Sequence, residues 1–159
     1  MEWRTVTFVK QAVPMGSLMN RSRVIELFYD EPAGTFAEGY LLQVMPDLTH
    51  AVDDPHNGYW HCNIAKHDRL TWSEKVYELF GLPVGAPIER EWVVERYSEP
   101  SKKTLEDVRT TGLKHKMGFI LDAGITPGRG GTGWIRVLAV PIIVAGQVIG
   151  LHGLKRALQ

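Results

Sequence analysis

Leu70-Thr71-Trp72-Ser73-Glu74-Lys75-Val76-Tyr77-Glu78-Leu79-Phe80-Gly81-Leu82-Pro83 is the stretch on which the fold turns. Arg69 to Trp72 reads as a short strand, and Ser73 stands where a helix N-cap is expected. The helix runs from Glu74 to Phe80 with Val76, Leu79 and Phe80 on one face, and Gly81 and Pro83 mark its end. Just upstream, Tyr59 to Ile64 reads as another strand. Trp60, Cys62 and Ile64 share one face, while Tyr59, His61 and Asn63 share the other.

Downstream, Ile88 to Tyr97 suggests a short helix carrying Trp92 and Val93. Ser98-Glu99-Pro100 opens a longer one, with Leu105 and Val108 inward and a close at Gly112. Three strands follow, about Lys116 to Ala123, Gly133 to Val144 and Gln147 to Leu154, the last two joined by a turn at Ala145-Gly146. The order β-β-α-α-α-β-β-β with short connections favours antiparallel pairing. The expected fold class is α+β: a five-stranded antiparallel sheet with helices on one face, beginning at residue 58 and preceded by an N-terminal helical extension.

That extension, residues 1–57, ends in a polar connector, Asp47 to Asn57. Trp3 to Val9 gives only a weak strand signal and is left open. Ser17 to Tyr29 reads as a helix, capped at Ser17 or Asn20, with Val24, Leu27 and Phe28 on one side. From Thr35 onward, Phe36, Tyr40, Leu41, Val44, Met45 and Leu48 follow the spacing of an amphipathic helix that Pro46 distorts. Such a stripe requires cover, from its own sheet or from a second copy of the chain.

Composition narrows the function classes. The 159 residues, 44% of them hydrophobic and 23% charged, suit a single globular domain and argue against disorder. Eighteen basic residues balance eighteen acidic ones, so no global field draws nucleic acid or anionic lipid. The lone cysteine, Cys62, permits neither an internal disulfide nor a Cys-x-x-Cys metal site, which fits a cytoplasmic setting. The uncharged run Val137 to Leu154 reaches the length of a membrane helix, but Pro141 and several glycines interrupt it and suit two strands instead. Neither membrane insertion nor export is expected.

From Gly58 to Leu154 the chain resembles the PAS domain family, in particular a bacterial subgroup with a Gly-x-Trp strand before a Leu-Thr-Trp-Ser turn. The resemblance rests on Gly58-Tyr59-Trp60, Leu70 to Glu74, Val76 to Pro83, Trp134-Ile135-Arg136-Val137 and Val148 to Gly153. It implies a sensor or interaction domain over residues 58–159, with signal transduction as its role. Glu99-Pro100 stands where the subgroup often has His-Pro, which removes that histidine as a haem ligand. Lys155-Arg156-Ala157 replaces the usual connector to an output domain. The resemblance thus implies a stand-alone regulator acting through protein contacts, or alternatively the sensor fragment of a larger histidine kinase or cyclase.

The chemical motifs are sparse. Gly128, Gly130 and Gly133 spell G-x-G-x-x-G, but Trp134 to Val137 reads as strand rather than the helix a phosphate site needs, so a mobile hairpin loop with Arg129 free for an anion or partner is expected. His56, His61, Cys62 and His67 are crowded, yet His61 and Cys62 point to opposite strand faces, so no metal site is expected. No nucleophile with a base emerges and no enzyme activity is expected. Haem through His115 or His152 is the cofactor alternative; flavin photochemistry is not expected, because the family's reactive-cysteine motif is missing.

Trp60, Cys62, Trp72, Tyr77, Phe80, Trp92, Phe119 and His152 are the candidate ligand-pocket residues, most of them core and a few in contact with a small molecule. Phe36, Tyr40, Leu41, Val44, Met45 and Leu48 are the candidate interaction residues. The expected partners are a second copy of the chain, another signalling protein and a small-molecule ligand.

Overall fold

A computed structural model describes residues 4–12, 22–29 and 55–158. Seven strands occur among the described residues: β1 (Arg4–Ala12), β2 (Ser22–Tyr29), β3 (Asn57–Asn63), β4 (Arg69–Trp72), β5 (Gly118–Ile125), β6 (Gly133–Val144) and β7 (Gln147–Leu158). Helices α1 (Glu74–Leu79), α2 (Arg90–Glu95) and α3 (Glu99–His115) stand between β4 and β5. The strands form one sheet in the order β1-β2-β5-β6-β7-β3-β4, every neighbouring pair antiparallel.

The five strands β3 to β7, with helices against one face, are those expected from the sequence. The extension differs. The helix expected over Ser17 to Tyr29 is corrected to a strand, Ser22–Tyr29, paired on one side with β1 and on the other with β5. Ile25 and Leu27 sit opposite Leu121 and Phe119, and Leu27 is buried in the core. Alternating Ile25 and Leu27 serve the sheet, whereas the helical spacing of Val24, Leu27 and Phe28 was also satisfied; a few apolar residues cannot separate the two periods. The weak signal at Trp3 to Val9 corresponds to β1. The expected helix carrying Phe36, Tyr40, Leu41, Val44, Met45 and Leu48 lies outside the described residues.

The helix-facing side of the sheet carries Trp60, Cys62, Phe119, Leu121, Ala123, Ile135, Val137, Ala139 and Leu151, all buried in the main core with Val76, Phe80, Val93, Tyr97, Leu105 and Val108 from the helical side. Two neighbouring backbones approach closely where β7 passes β6. A Cβ on Gly153 would stand 1.7 Å from the Leu138 carbonyl oxygen, so only glycine fits there. Trp60, paired in register with Gly153, donates its indole N–H to the Leu138 and Leu154 carbonyls at 3.2 and 3.4 Å. On the opposite face, Arg136 grips Asp122 with two hydrogen bonds of 2.8 and 3.1 Å across β5 and β6.

Local expectations are corrected at three points. Ser73 makes no side-chain cap to α1; its hydroxyl accepts from the Tyr59 amide at 2.9 Å and ties α1's start to β3. Gly112 does not end α3, which continues to His115 and closes at Lys116 in a left-handed conformation. The glycine serves instead as the place where the returning chain crosses, with the Met117 carbonyl 2.8 Å from a notional Cβ. The glycine-rich loop is docked: Gly128 N–H donates to the Phe80 carbonyl at 2.8 Å, and Arg129 donates to the Glu78 carbonyl at 2.7 Å. Arg129 adds a cationic donor at the C-terminal end of α1, on the Glu78 carbonyl that also accepts the Gly81 N–H at 3.1 Å. Strand β6 follows the loop, as expected.

Candidate functional site

Between the inner sheet face and helices α2 and α3 lies a cavity of about 60 Å³. Strands β3, β5, β6 and β7 supply Trp60, Cys62, Phe119, Val137, Leu151 and Lys155; Val93, Val94, Tyr97 and Leu105 close it from the helical side, with Arg90 and Arg109 at its margin. The alternation of β3 turns Trp60 and Cys62 inward, and the alternation of β7 does the same for Leu151, Gly153 and Lys155.

Lys155 is the unusual member. It is only 6% exposed. Its Nζ lies 4.8 Å from the ring centre of Phe80, 5.2 Å from Trp60, 5.7 Å from Trp72 and 5.8 Å from Tyr97. Trp72 and Phe80 stack at 5.0 Å, Tyr77 meets Trp72 edge-on at 5.3 Å, and Tyr97 lies 6.0 Å from Phe80, so the rings form a continuous wall. Ring faces attract the ammonium. Burial works against it and pushes its pKa down to about 7, with Cys62 favouring the charge and Arg90 opposing it.

The other polar groups of the wall are held or neutral. Arg109 donates to Asp68 at 3.0 Å, and Arg90 pairs with Glu106. Burial, assisted by Asp68 and opposed by Arg109, raises the Cys62 thiol above its ordinary pKa. Tyr97 is likewise pushed up by burial. Both stay protonated near neutrality, so the cavity presents an apolar surface, two paired arginines and one lysine.

Of the candidate pocket residues, Trp60, Cys62 and Phe119 line the cavity, while Trp72 and Phe80 lie behind its wall, in contact with Lys155. Tyr77 and Trp92 are half-buried against the core. His152 faces the other way: it lies opposite His61 on the outer sheet face, beside Tyr59, Thr71 and Ser73. His115 is exposed at the end of α3. Neither imidazole lines the cavity, so these residues do not fit haem. Among the described residues no cluster of three His, Cys, Asp or Glu could hold a metal ion. Lys155, Arg90, Tyr97 and Arg109 were not singled out from sequence. Placing the end of the last strand at Leu154 put Lys155 in a tail; its inward alternation with Leu151 and Gly153 was the available signal.

The topology over residues 57–158 runs β4-β3-β7-β6-β5, with three helices inserted between the second and third strands of the chain segment. No family model matches the chain, and no curated protein matches it. Solved structures do. The N-terminal domain of a diguanylate cyclase with PAS/PAC sensor from Marinobacter aquaeolei is 16% identical, covering 64% of this chain and 94% of that one, with a TM-score of 0.58. A sensory box histidine kinase/response regulator from Burkholderia thailandensis E264 is 16% identical over 74% of this chain and 84% of that one, TM-score 0.59. A domain of a putative light and redox sensing histidine kinase from Haloarcula marismortui is 12% identical over 68% and 94%, TM-score 0.57. The fold is a PAS fold. In PAS terms the cavity lies between sheet and helices, and the β1–β2 pair is an addition beside β5.

Proposed function

We propose that this chain is a PAS-type signalling sensor in which the occupant of the cavity sets the packing of α2 and α3, and a partner protein reads the result. The observation that carries it is the cavity itself. Its walls come from both sheet and helices, and two of its boundary residues, Arg90 and Arg109, tie α2 to α3 through Glu106 and α3 to the β3–β4 turn through Asp68. A molecule entering there touches both halves at once. Differential affinity for two arrangements of these helices is all that such a switch requires.

The role proposed is binding rather than catalysis: apart from Arg90, Arg109, Lys155 and the protonated Cys62 and Tyr97, the described cavity wall is apolar. The setting is the cytoplasm; no helix among the described residues is long and apolar enough to cross a membrane. The stripe Phe36, Tyr40, Leu41, Val44, Met45 and Leu48 supports homodimerisation, which light scattering on a variant with Leu41 and Met45 made charged tests: the dimer is lost if the stripe forms the interface.

The sensor reading is tested by native mass spectrometry of the purified chain and by hydrogen exchange before and after ligand addition. An occupant, with altered exchange confined to α2, α3 and the strands facing them, is the expected result. An empty cavity that accepts no small molecule and helices indifferent to every addition would overturn it.

A further inference from the structure

Among the described residues, every charged side chain on the cavity wall is a cation. Arg90, Arg109 and Lys155 line it, and among the described residues no aspartate or glutamate does. The arginines have their own acids in Glu106 and Asp68. Lys155 has no carboxylate partner among the described residues; the groups facing it are the thiol of Cys62 from β3, the Arg90 guanidinium from α2, the Tyr97 phenol after α2, and the rings of Trp60, Trp72 and Phe80. Ring faces attract a cation but offer no anionic oxygen. A buried, unpaired charge is costly, and replacing it by an apolar side chain ordinarily stabilises. The lysine at this position is therefore explained by something that pairs with it part of the time.

The remaining wall chooses among anions. Val93, Leu105, Phe119 and Leu151 are apolar, which disfavours a fully hydrated inorganic ion and suits an organic tail. One uncompensated cation suits a single negative charge. A volume of about 60 Å³ is well under the roughly 150 Å³ of a cavity that holds benzene, so the molecule is small.

Building on the sensor reading above, we infer that the cavity is a site for a short-chain monocarboxylate, its carboxylate paired with the Lys155 ammonium and its alkyl end against Val93, Leu105 and Phe119.

The test is a titration of the intact chain at pH 6.5 with acetate, propionate and butyrate, followed by NMR. Propionamide, propylamine, chloride and phosphate serve as comparison probes. The carboxylates are expected to bind, propionamide at least tenfold more weakly, and propylamine not at all. Lys155→Met is expected to lose at least tenfold in propionate affinity. Should that variant fail to fold, the Lys155 ammonium in the natural chain supplies the second reading: its titration midpoint must move upward when propionate is saturating. Equal binding of propionamide, unchanged affinity in Lys155→Met, an unmoved midpoint, or binding of chloride or phosphate alone would each overturn the inference. Neutral probes that bind while carboxylates do not would leave the sensor reading standing and remove only the carboxylate. No binding by any organic probe, with nothing retained on purification, would remove both.

Discussion

At the scale of the residue, Lys155 dominates the electrostatics of the interior. Its folded pKa of about 7 lies below the roughly 10.4 of an unfolded lysine. Below pH 7 both states carry the proton and the burial penalty is fully present. Between pH 7 and 10 the unfolded chain keeps a proton that the folded chain has released, so stability rises with pH, by at most about 1.4 kcal/mol per unit from this group. Cys62 and Tyr97 act in the opposite sense at higher pH, because burial holds their protons on after the unfolded chain has lost them. The rise is therefore expected to flatten above about pH 8.5. Urea unfolding of the natural chain and of Lys155→Met across pH 6 to 9 isolates the term: the variant should be the more stable at pH 6, with the gap narrowing steadily above pH 7. A constant gap would show that Lys155 does not change its charge there. None of this was legible in the sequence. Trp60, Cys62 and Phe119 were legible as inward aromatic and sulfur side chains because strand alternation is local. Lys155 was not, because its burial depends on β7 continuing past Leu154 to pair with β6 as far as Trp134.

At the scale of the element, turns and helix ends are where the chain works against its own preferences. Ala145 has φ of 51° and Gly146 of 78°, the double left-handed conformation of a two-residue hairpin turn. Glycine adopts it freely, whereas alanine pays a steric penalty. Ala145→Asn is expected to stabilise by about 0.5–1 kcal/mol, read as a melting temperature raised by about 2–4 °C. A lowered melting temperature would show that the β6–β7 turn is not of this type. At the other end of the same strand, Arg129 fastens the β5–β6 loop to α1. Arg129→Ala should cost about 1 kcal/mol, typical of one hydrogen bond, and speed amide exchange at Gly128. Unchanged exchange would mean that the Gly128 amide alone holds the loop. The sequence placed this turn and the strand after the loop correctly, since glycine and β-branched residues are local signals. It read the loop as mobile because the Glu78 carbonyl that holds Arg129 lies 51 residues away in the chain. The same limit explains Ser73 and Gly112, whose partners Tyr59 and Met117 are set by packing rather than by helix grammar.

At the scale of the whole molecule, the β1–β2 pair decides whether the PAS sheet has a free edge at β5. Every residue of β5 is buried, and β2 runs beside it from Ile25 opposite Leu121 to Phe28 opposite Gly118. Remove residues 1–54 and the backbone groups of β5 that face β2 lose their partners, while Phe119 and Leu121 lose the cover of Leu27 and Ile25. An unpaired, buried-type strand of this composition is a template for pairing with another copy. A chain starting at residue 55 is thus expected to retain its cavity, because every described residue of the cavity wall lies after residue 55. It should also exchange the β2-facing amides of β5 at least tenfold faster and associate with rising concentration, both measurable by hydrogen exchange and light scattering. If the shortened chain kept those amides protected and stayed in the assembly state of the intact chain, β2 would not be what closes the sheet. In the positive outcome, edge closure and ligand recognition prove to be separable tasks, one carried by the extension and the other by residues that fold without it.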